Sequence, residues 1–365
     1  MSTDRIRLGV IGANAKYGWA NRAHIPALLA LPEYEVVAVC TSRRETAEES
    51  ARHYGVPLAF HDFREMVVHP DVDLVTVSVR VPWHYSMVIA ALEAGKHVFC
   101  EWPLGANLSE AEEMVSLAQS RGVTHMVDLQ ARAAPPLLHF RKLLAEGYVG
   151  EVLACNMTMF LPGILKRGRS VPWMADRTKG ANTLTIEGGH SIDALSFCVG
   201  EFREVLAQVS TRVPPWETFQ PGETVAVTSP DNVLASGVLT NGAVASFHVA
   251  SVPSHGTGWR MEVYGQEGTL IATSGQMVQY GEIHLQGGRG DGKLLDITVP
   301  DQQAPVPDQV PAGPAYNVAQ MYRRLSQAIR LSESVEPDFQ VAVKRHNMLD
   351  AIERSSKEGT KVKVE

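Results

Sequence analysis

Ile6-Arg-Leu-Gly-Val-Ile-Gly-Ala-Asn-Ala-Lys-Tyr-Gly-Trp-Ala20 is the stretch on which the fold turns. Residues 6–12 form an apolar run that ends on a glycine, as a buried strand does when it stops at a tight turn. Ala20, Ile25, Leu28 and Leu29 then recur at helical spacing over residues 20–31. A strand-to-helix turn of this kind can bring backbone N–H groups up to a phosphate at the helix start, provided that its side chains are small. Gly9, Gly12 and Gly18 meet that need loosely. Asn14 stands where the second glycine of a G-x-G-x-x-G turn is expected, and Gly18 comes late.

The same alternation continues outward from this turn. Glu35–Cys40 reads as a strand, Glu45–Tyr54 as a helix, Leu74–Val79 as a strand and Tyr85–Ala94 as a helix; His97–Cys100, Ser109–Arg121 and Thr124–Leu129 repeat the pattern. Strands and helices alternating at this spacing bury their faces as a parallel sheet covered on both sides, with right-handed crossovers. Residues 1–128 are therefore expected to form a doubly wound Rossmann domain that binds a nicotinamide dinucleotide. The second strand ends in Cys40-Thr-Ser-Arg-Arg44, with no acid to hold a ribose 2′-hydroxyl. Ser42, Arg43 and Arg44 suit a 2′-phosphate instead. Either NAD or NADP is expected, and these residues tilt the reading toward NADP.

After about residue 150 the texture changes. Val152–Leu161, Glu204–Arg212, Asn232–Leu239, Ala243–Ala250 and Trp259–Tyr264 are strand-like, and Thr240-Asn-Gly-Ala243 is a hairpin signal. Residues 129–365 are expected to form a second, α+β domain on an open, mostly antiparallel sheet, giving an α/β plus α+β chain. Val299–Ala315 reads as a surface loop, and Asn317–Leu331 and Val341–Ser355 as helices.

A chain of 365 residues with 45% hydrophobic and 20% charged residues has room for both cores. The net charge of −7 and pI near 6.0 argue against a nucleic-acid surface. Cys40, Cys100, Cys155 and Cys198 lie far apart in or beside apolar runs, as buried thiols do in a reducing compartment. No apolar signal core opens the chain and no stretch of about twenty apolar residues would span a bilayer. A cytoplasmic location is expected, with no metal site and no nucleophile elbow.

Several ordered motifs carry a resemblance along the whole chain: His24-Ile-Pro-Ala-Leu28, Val81-Pro-Trp-His84, Gly95-Lys-His-Val-Phe-Cys-Glu-Trp-Pro103, Gln130-Ala-Arg132, Gly147-Tyr-Val-Gly-Glu-Val152, Gly189-His-Ser-Ile-Asp193 and Tyr264-Gly-Gln-Glu-Gly-Thr269. The chain resembles the sugar oxidoreductase family of glucose–fructose oxidoreductase and inositol 2-dehydrogenase. Residues 12–20 and Glu101-Trp-Pro103 are most similar to the branch containing the fungal galactose-regulon repressor. The resemblance implies a dinucleotide held by Gly12, Asn14, Tyr17, Gly18, Trp19, Val79, Val81, His84, Glu101, Trp102 and Gln130, and a cis bond before Pro103.

It also marks two departures. The family's Glu-Lys-Pro tripeptide carries a lysine that helps hold the reacting hydroxyl, and here that position is Trp102. The family's aspartate four residues before its histidine is Ile186, and on an α-helix Glu187 would point about 100 degrees away. His190 is retained. It is expected to be the general base, with Lys179 or Tyr17 standing in for the lost lysine.

Trp102, Trp173, Asp176, Asn182 and His190 suit sugar binding by stacking and hydroxyl hydrogen bonds. Arg132, Lys166, Arg167 and Arg169 suit an anionic group on the sugar. The leading reading is an NAD(P)-dependent oxidoreductase of a sugar or sugar derivative. A second is a glycosidase that oxidises C3 transiently, eliminates the aglycone and reduces again with the same nicotinamide. A third is a non-catalytic dinucleotide-binding regulator. A sugar or glycoside ligand and a homodimer or homotetramer are the expected partners, with no nucleic acid and no membrane.

Overall fold

The computed structural model describes residues 5–280, 282–300 and 306–364. Six parallel strands build the first sheet: β1 (Ile6–Ile11), β2 (Tyr34–Cys40), β3 (Leu58–Phe60), β4 (Leu74–Val77), β5 (His97–Glu101) and β6 (His125–Asp128), in the order β3-β2-β1-β4-β5-β6. Leu8 of β1 sits between Val36 of β2 and Leu74 of β4, so the strand order reverses at β1. Leu8, Val10, Leu74, Val75, Val98 and Phe99 are fully buried, because helices cover both faces of the sheet. β3 went unread in the sequence because three residues show no periodicity.

A single π-helical turn, Ala20–His24, leads into α1 (Ile25–Ala30). It is followed by α2 (Arg44–Tyr54), α3 (Phe63–Val67), α4 (His84–Glu93) and α5 (Leu108–Arg121). The ends of α5 illustrate the local logic. The Asn107 side chain accepts a hydrogen bond from the Glu110 N–H, and Gly122 at φ +64° closes the helix.

The second sheet has nine strands in the order β16-β15-β14-β13-β7-β12-β11-β8-β17. They are β7 (Val152–Pro162), β8 (Phe202–Ser210), β11 (Asn232–Leu239), β12 (Val244–Val252), β13 (Gly258–Gly265), β14 (Gly268–Ser274), β15 (His284–Arg289), β16 (Leu295–Asp296) and β17 (Val362–Lys363); β9 (Trp216–Glu217) and β10 (Thr224–Val225) form a separate pair. β7 and β12 run parallel and every other pair is antiparallel, so the sheet is mixed. One face aligns the buried Ala235, Phe247, Met157 and Met261; the other carries the exposed Leu206, Leu234, Val244 and Tyr264. Helices α6 (Pro135–Ala145), α7 (Arg167–Ser170) and α8 (Gly189–Cys198) belong to this unit.

The sequence reading cuts the chain once, between residues 128 and 129, whereas the compact units are interleaved. The first unit runs through Ala133 and takes back a segment ending at Val343; the second starts at Ala134 and resumes at Lys344. The reason lies in α9 (Pro314–Leu331). Its Val318, Met321, Tyr322 and Leu325 form an apolar stripe at helical spacing and join Leu8, Val10, Ala23 and Leu28 in one core. The last helix is α10 (Phe339–Glu358). Of the expected Val299–Ala315 loop, residues 301–305 lie outside the described residues, and 306–313 contain no helix or strand. All four cysteines are buried and none is in a disulfide. Among the described residues no helix is long and apolar enough to cross a membrane.

Candidate functional site: a dinucleotide cradle and a buried histidine

In an open α/β sheet, ligands bind beyond the carboxyl ends of the strands where the order reverses. Here that edge begins with Gly12, at φ +95°. A Cβ there would lie 2.0 Å from the Ser78 carbonyl oxygen, so the turns after β1 and β4 touch where only glycine fits. Gly18, at φ +103°, is required by conformation instead, since a Cβ would meet nothing nearer than the Gly12 oxygen at 3.8 Å.

Asn14, in place of the second glycine, stabilises the turn itself. Its Oδ1 accepts from the Lys16 N–H at 2.9 Å and its own N–H donates to the Gly12 oxygen at 2.9 Å. The Ala15 N–H donates to Ser50 Oγ at 3.1 Å, which ties the turn to α2. Tyr17 is 65% exposed, so it has none of the enclosure expected of a substitute for the lost lysine. After β2, Ser42, Arg43 and Arg44 are exposed, and neither arginine makes an ion pair among the described residues.

The opposite half of the edge is tied together from below. His84 was expected to touch the cofactor, but it is buried and both ring nitrogens face backbone carbonyls, Pro103 O at 2.8 Å and Val79 O at 3.1 Å. It therefore links the loops after β4 and β5, and Val81 is buried with it. The Trp102–Pro103 bond is cis, and Trp102 is buried. Two buried polar atoms here lack any protein partner, Ser78 Oγ and Gln130 Oε1. A strand-to-helix turn that glycine holds tight, together with unmet hydrogen-bonding groups at the same edge, fits a dinucleotide.

One cluster at this edge escaped the sequence reading. His24 Nε2 lies 2.5 Å from Glu101 Oε1 and 4.0 Å from Asp128 Oδ2, while His24 Nδ1 lies 2.8 Å from the Tyr322 hydroxyl, itself 2.9 Å from Thr76 Oγ1. Burial drives His24 down to about 4 and so keeps it neutral. Burial raises Glu101 to about 7, against donors from Asp128 and Trp19, and raises Asp128 well above the carboxylate range. The four residues stand far apart in sequence; a buried acid at the end of a strand was the only signal available.

In the second unit a π-helical turn, Thr183–Gly188, continues into α8 and carries His190 at the junction. His190 is 4% exposed, its Nδ1 has no partner, and burial lowers it to about 4. The expectation that Glu187 points away assumed α-helical phase. With the π turn, Glu187 is buried and paired with the Arg167 guanidinium, which also reaches Ser251 Oγ at 2.8 Å and Thr183 Oγ1 at 3.2 Å.

The other expected ligands are mostly engaged in structural contacts. Asn182 caps the π turn by accepting from the Leu184 and Thr185 N–H groups, and Asp176 caps the next short turn through Thr178. Lys179 is about half exposed and lies 3.8 Å from Asp176, far from the enclosure a catalytic lysine needs. Trp173 is half-buried and Lys166 exposed. Arg169 pairs with Glu217 at 2.6 Å, and in the first unit Arg132 lies 3.6 Å from Glu336.

Residues 6–129 match the model of the oxidoreductase family with an NAD-binding Rossmann fold, and residues 135–274 match that of the Gal80p C-terminal domain. The first unit thus carries the Rossmann domain of this oxidoreductase family, and much of the second is similar to the Gal80p C-terminal domain. The chain's first unit is an NAD-binding Rossmann domain. Over 216 residues the chain is 39% identical to dehydrogenase aclE of Aspergillus oryzae, covering 58% of this chain and 59% of that one. The match to the regulatory protein GAL80 of Saccharomyces cerevisiae is 29% identical, over 66% of this chain and 59% of that protein. The chain therefore spans about three-fifths of these two relatives. A super-repressor mutant of Gal80p from S. cerevisiae shares the fold, with a TM-score of 0.87 at 22% identity over 99% of this chain and 98% of that one. A levoglucosan dehydrogenase in complex with NADH and levoglucosan aligns with a TM-score of 0.83 at 25% identity, over 99% and 100%.

Proposed function

We propose that this oxidoreductase oxidises a hydroxyl of a sugar or sugar derivative, with His190 as general base. The observation that carries the reading is a buried imidazole, held neutral at physiological pH, with an unengaged nitrogen. When bound, the dinucleotide supplies the hydride acceptor. His190 takes the hydroxyl proton, which a neutral imidazole does and an imidazolium does not. Trp102 offers an apolar face for stacking where a lysine would offer a proton donor. Gly12 keeps the backbone open to the pyrophosphate, while Ser78 and Gln130 meet polar groups of the cofactor.

NADP is the favoured form, because Arg43 and Arg44 stand exposed and unpaired where no carboxylate opposes a 2′-phosphate. Purified protein incubated with NADP+ or NAD+ and a panel of sugars, sugar acids and glycosides should reduce the cofactor with at least one of them. Replacing both arginines by alanine is expected to weaken NADP+ binding about tenfold or more and leave NAD+ binding unchanged. Glycoside cleavage that needs only catalytic cofactor, with solvent deuterium entering C2, would point to the redox-assisted glycosidase.

A non-catalytic regulator is the second reading, favoured by the match to the Gal80p C-terminal domain and by Trp102. Tight dinucleotide binding without turnover on any panel member would support it. A homodimer is proposed through the open face of the large sheet, where Leu206, Leu234, Val244 and Tyr264 are exposed together. Sedimentation of Leu234→Lys should then give monomer where the parent chain gives dimer.

A further inference from the structure

We propose that Glu101 and Asp128 share one proton, braced by His24 and Tyr322, and that this pair selects the oxidation state of the bound dinucleotide. The pair gives up the proton when the oxidised form, with its cationic ring, binds and keeps it when the reduced form, with its neutral ring, binds. The inference rests on the dinucleotide reading above.

The geometry begins with Asp128. It is fully exposed to nothing but protein, at 0% accessibility, and neither carboxyl oxygen receives a hydrogen bond from any N–H or O–H group. A buried carboxylate in that state is costly, whereas a protonated carboxyl is not. Protonated Asp128 has an acceptor at hand in Glu101, and the two carboxyls and His24 Nε2 lie within 4.8 Å of one another.

Glu101 collects the donors. His24 donates from Nε2, and Asp128 donates the shared proton. His24 is set in that tautomer from behind: with Nε2–H aimed at Glu101, its Nδ1 accepts from the Tyr322 hydroxyl, which in turn accepts from Thr76. Cys100 on β5 and Tyr34 on β2 complete the titratable groups around the cluster, and burial holds both of them neutral. Among the described residues no lysine or arginine neutralises either carboxyl, so the cluster carries one negative charge. Glu101, 13% exposed, is its opening to the edge of the sheet.

A divalent cation fits these atoms less well than a proton. Ligands about 2.0–2.2 Å from an ion sit roughly 3 Å apart, whereas His24 and Glu101 meet in a direct hydrogen bond.

Strands β4, β5 and β6 form the half of the edge past the reversal, where the second mononucleotide half of a dinucleotide lies. A positive ring there favours the second ionisation of the pair. The proton then leaves the Asp128 carboxyl by way of Glu101 and passes to buffer, with no other bond changed. A neutral ring supplies no such drive.

Calorimetric titration of the full chain with NADP+, NADPH, NAD+ and NADH, in buffers of different ionisation enthalpy at pH 6.5 and 8, reads the proton count directly. At pH 6.5 the oxidised forms are expected to release a proton fraction approaching one, and the reduced forms almost none. Oxidised-form affinity should rise up to about tenfold per pH unit over the titration, and reduced-form affinity should stay flat. In Asp128→Asn both the release and the pH dependence should disappear. Equal proton counts for the two forms of the wild-type chain overturn the inference whether or not that variant folds. Undiminished release in folded Asp128→Asn also overturns it. Failure of every dinucleotide to bind removes the inference together with the reading beneath it, while binding without differential release removes the inference alone.

Discussion

Replacing His190 by alanine is expected to lower kcat/KM for the sugar that the wild-type chain oxidises by about 10²–10⁴-fold, the range for loss of a positioned general base. The fall should lie mainly in kcat, since the lost contact is one that strengthens as the proton moves. The pH profile separates this role from a packing role. Burial lowers His190 to about 4, so its base form is present above that pH and is lost as pH falls through it. At a concentration of oxidised cofactor that saturates the protein at every pH, the wild-type rate should therefore stay level on the acid side down to about pH 5, where an unperturbed histidine near 6.5 would already have lost most of it. Circular dichroism at each pH is needed alongside. His24, His190 and His346 are all buried and lowered to about 4, so at these groups the unfolded chain binds protons that the folded chain refuses, and their contribution to stability drops between pH 6.5 and 4, opposed by the raised Glu101 and Asp128 carboxyls. A rate that breaks near pH 6.5 while the fold is intact would sink the assignment.

Replacing Arg345 by methionine is expected to destabilise the second unit by about 3–5 kcal/mol, measured by urea titration. Arg345 is 1% exposed and reaches from α10 to three groups: Asp193 Oδ1 at 3.6 Å, Ser196 Oγ at 2.6 Å and the Glu201 carboxylate. Losing the guanidinium removes its positive charge from beside the Asp193 carboxylate, which is buried at 1% exposure. Glu201, 43% exposed, relaxes into solvent, so the loss is concentrated at Asp193. Replacing Asp193 by leucine in the same chain should recover most of the stability, because an apolar pair replaces an ionic one. Since α8 carries His190 as well as Asp193 and Ser196, the single variant should also lower turnover; a stable Arg345→Met variant with full activity would refute the account.

Much of the first unit was legible because its elements are long and periodic. The alternation from Ile6 to Leu129 has the spacing that parallel strands and covering helices impose, and the three-residue strand at Leu58 and the five-residue helix at Phe63 were too short to register. The second sheet was partly legible: its long strands appeared, whereas β14 to β17 and the parallel β7–β12 pairing did not, because pairing direction is decided between segments far apart in the chain. Gly12 was read as leaving room for a phosphate; what the structure brings against it is the Ser78 carbonyl, which the turn sequence does not contain.

Candidate side chains divided along the same line. Asn182 and Asp176 have the composition of sugar ligands and the positions of caps, and position is a property of the backbone around them. Arg167 and Glu187 are two unremarkable loop and helix residues until a π turn brings the acid inward to meet the base.

The sequence by itself determined the dinucleotide-binding unit, its glycine turn and the absence of an acid after β2, because each of these is a matter of residue type at a local spacing; that Trp102 stands in place of a lysine is what the family resemblance implies. The return of α9 to the first unit, the phase of the turn before His190 and the cluster of His24, Glu101, Asp128 and Tyr322 were decided by tertiary structure alone. Those features depend on which buried groups end up without water and with each other, and burial is fixed only when distant segments pack.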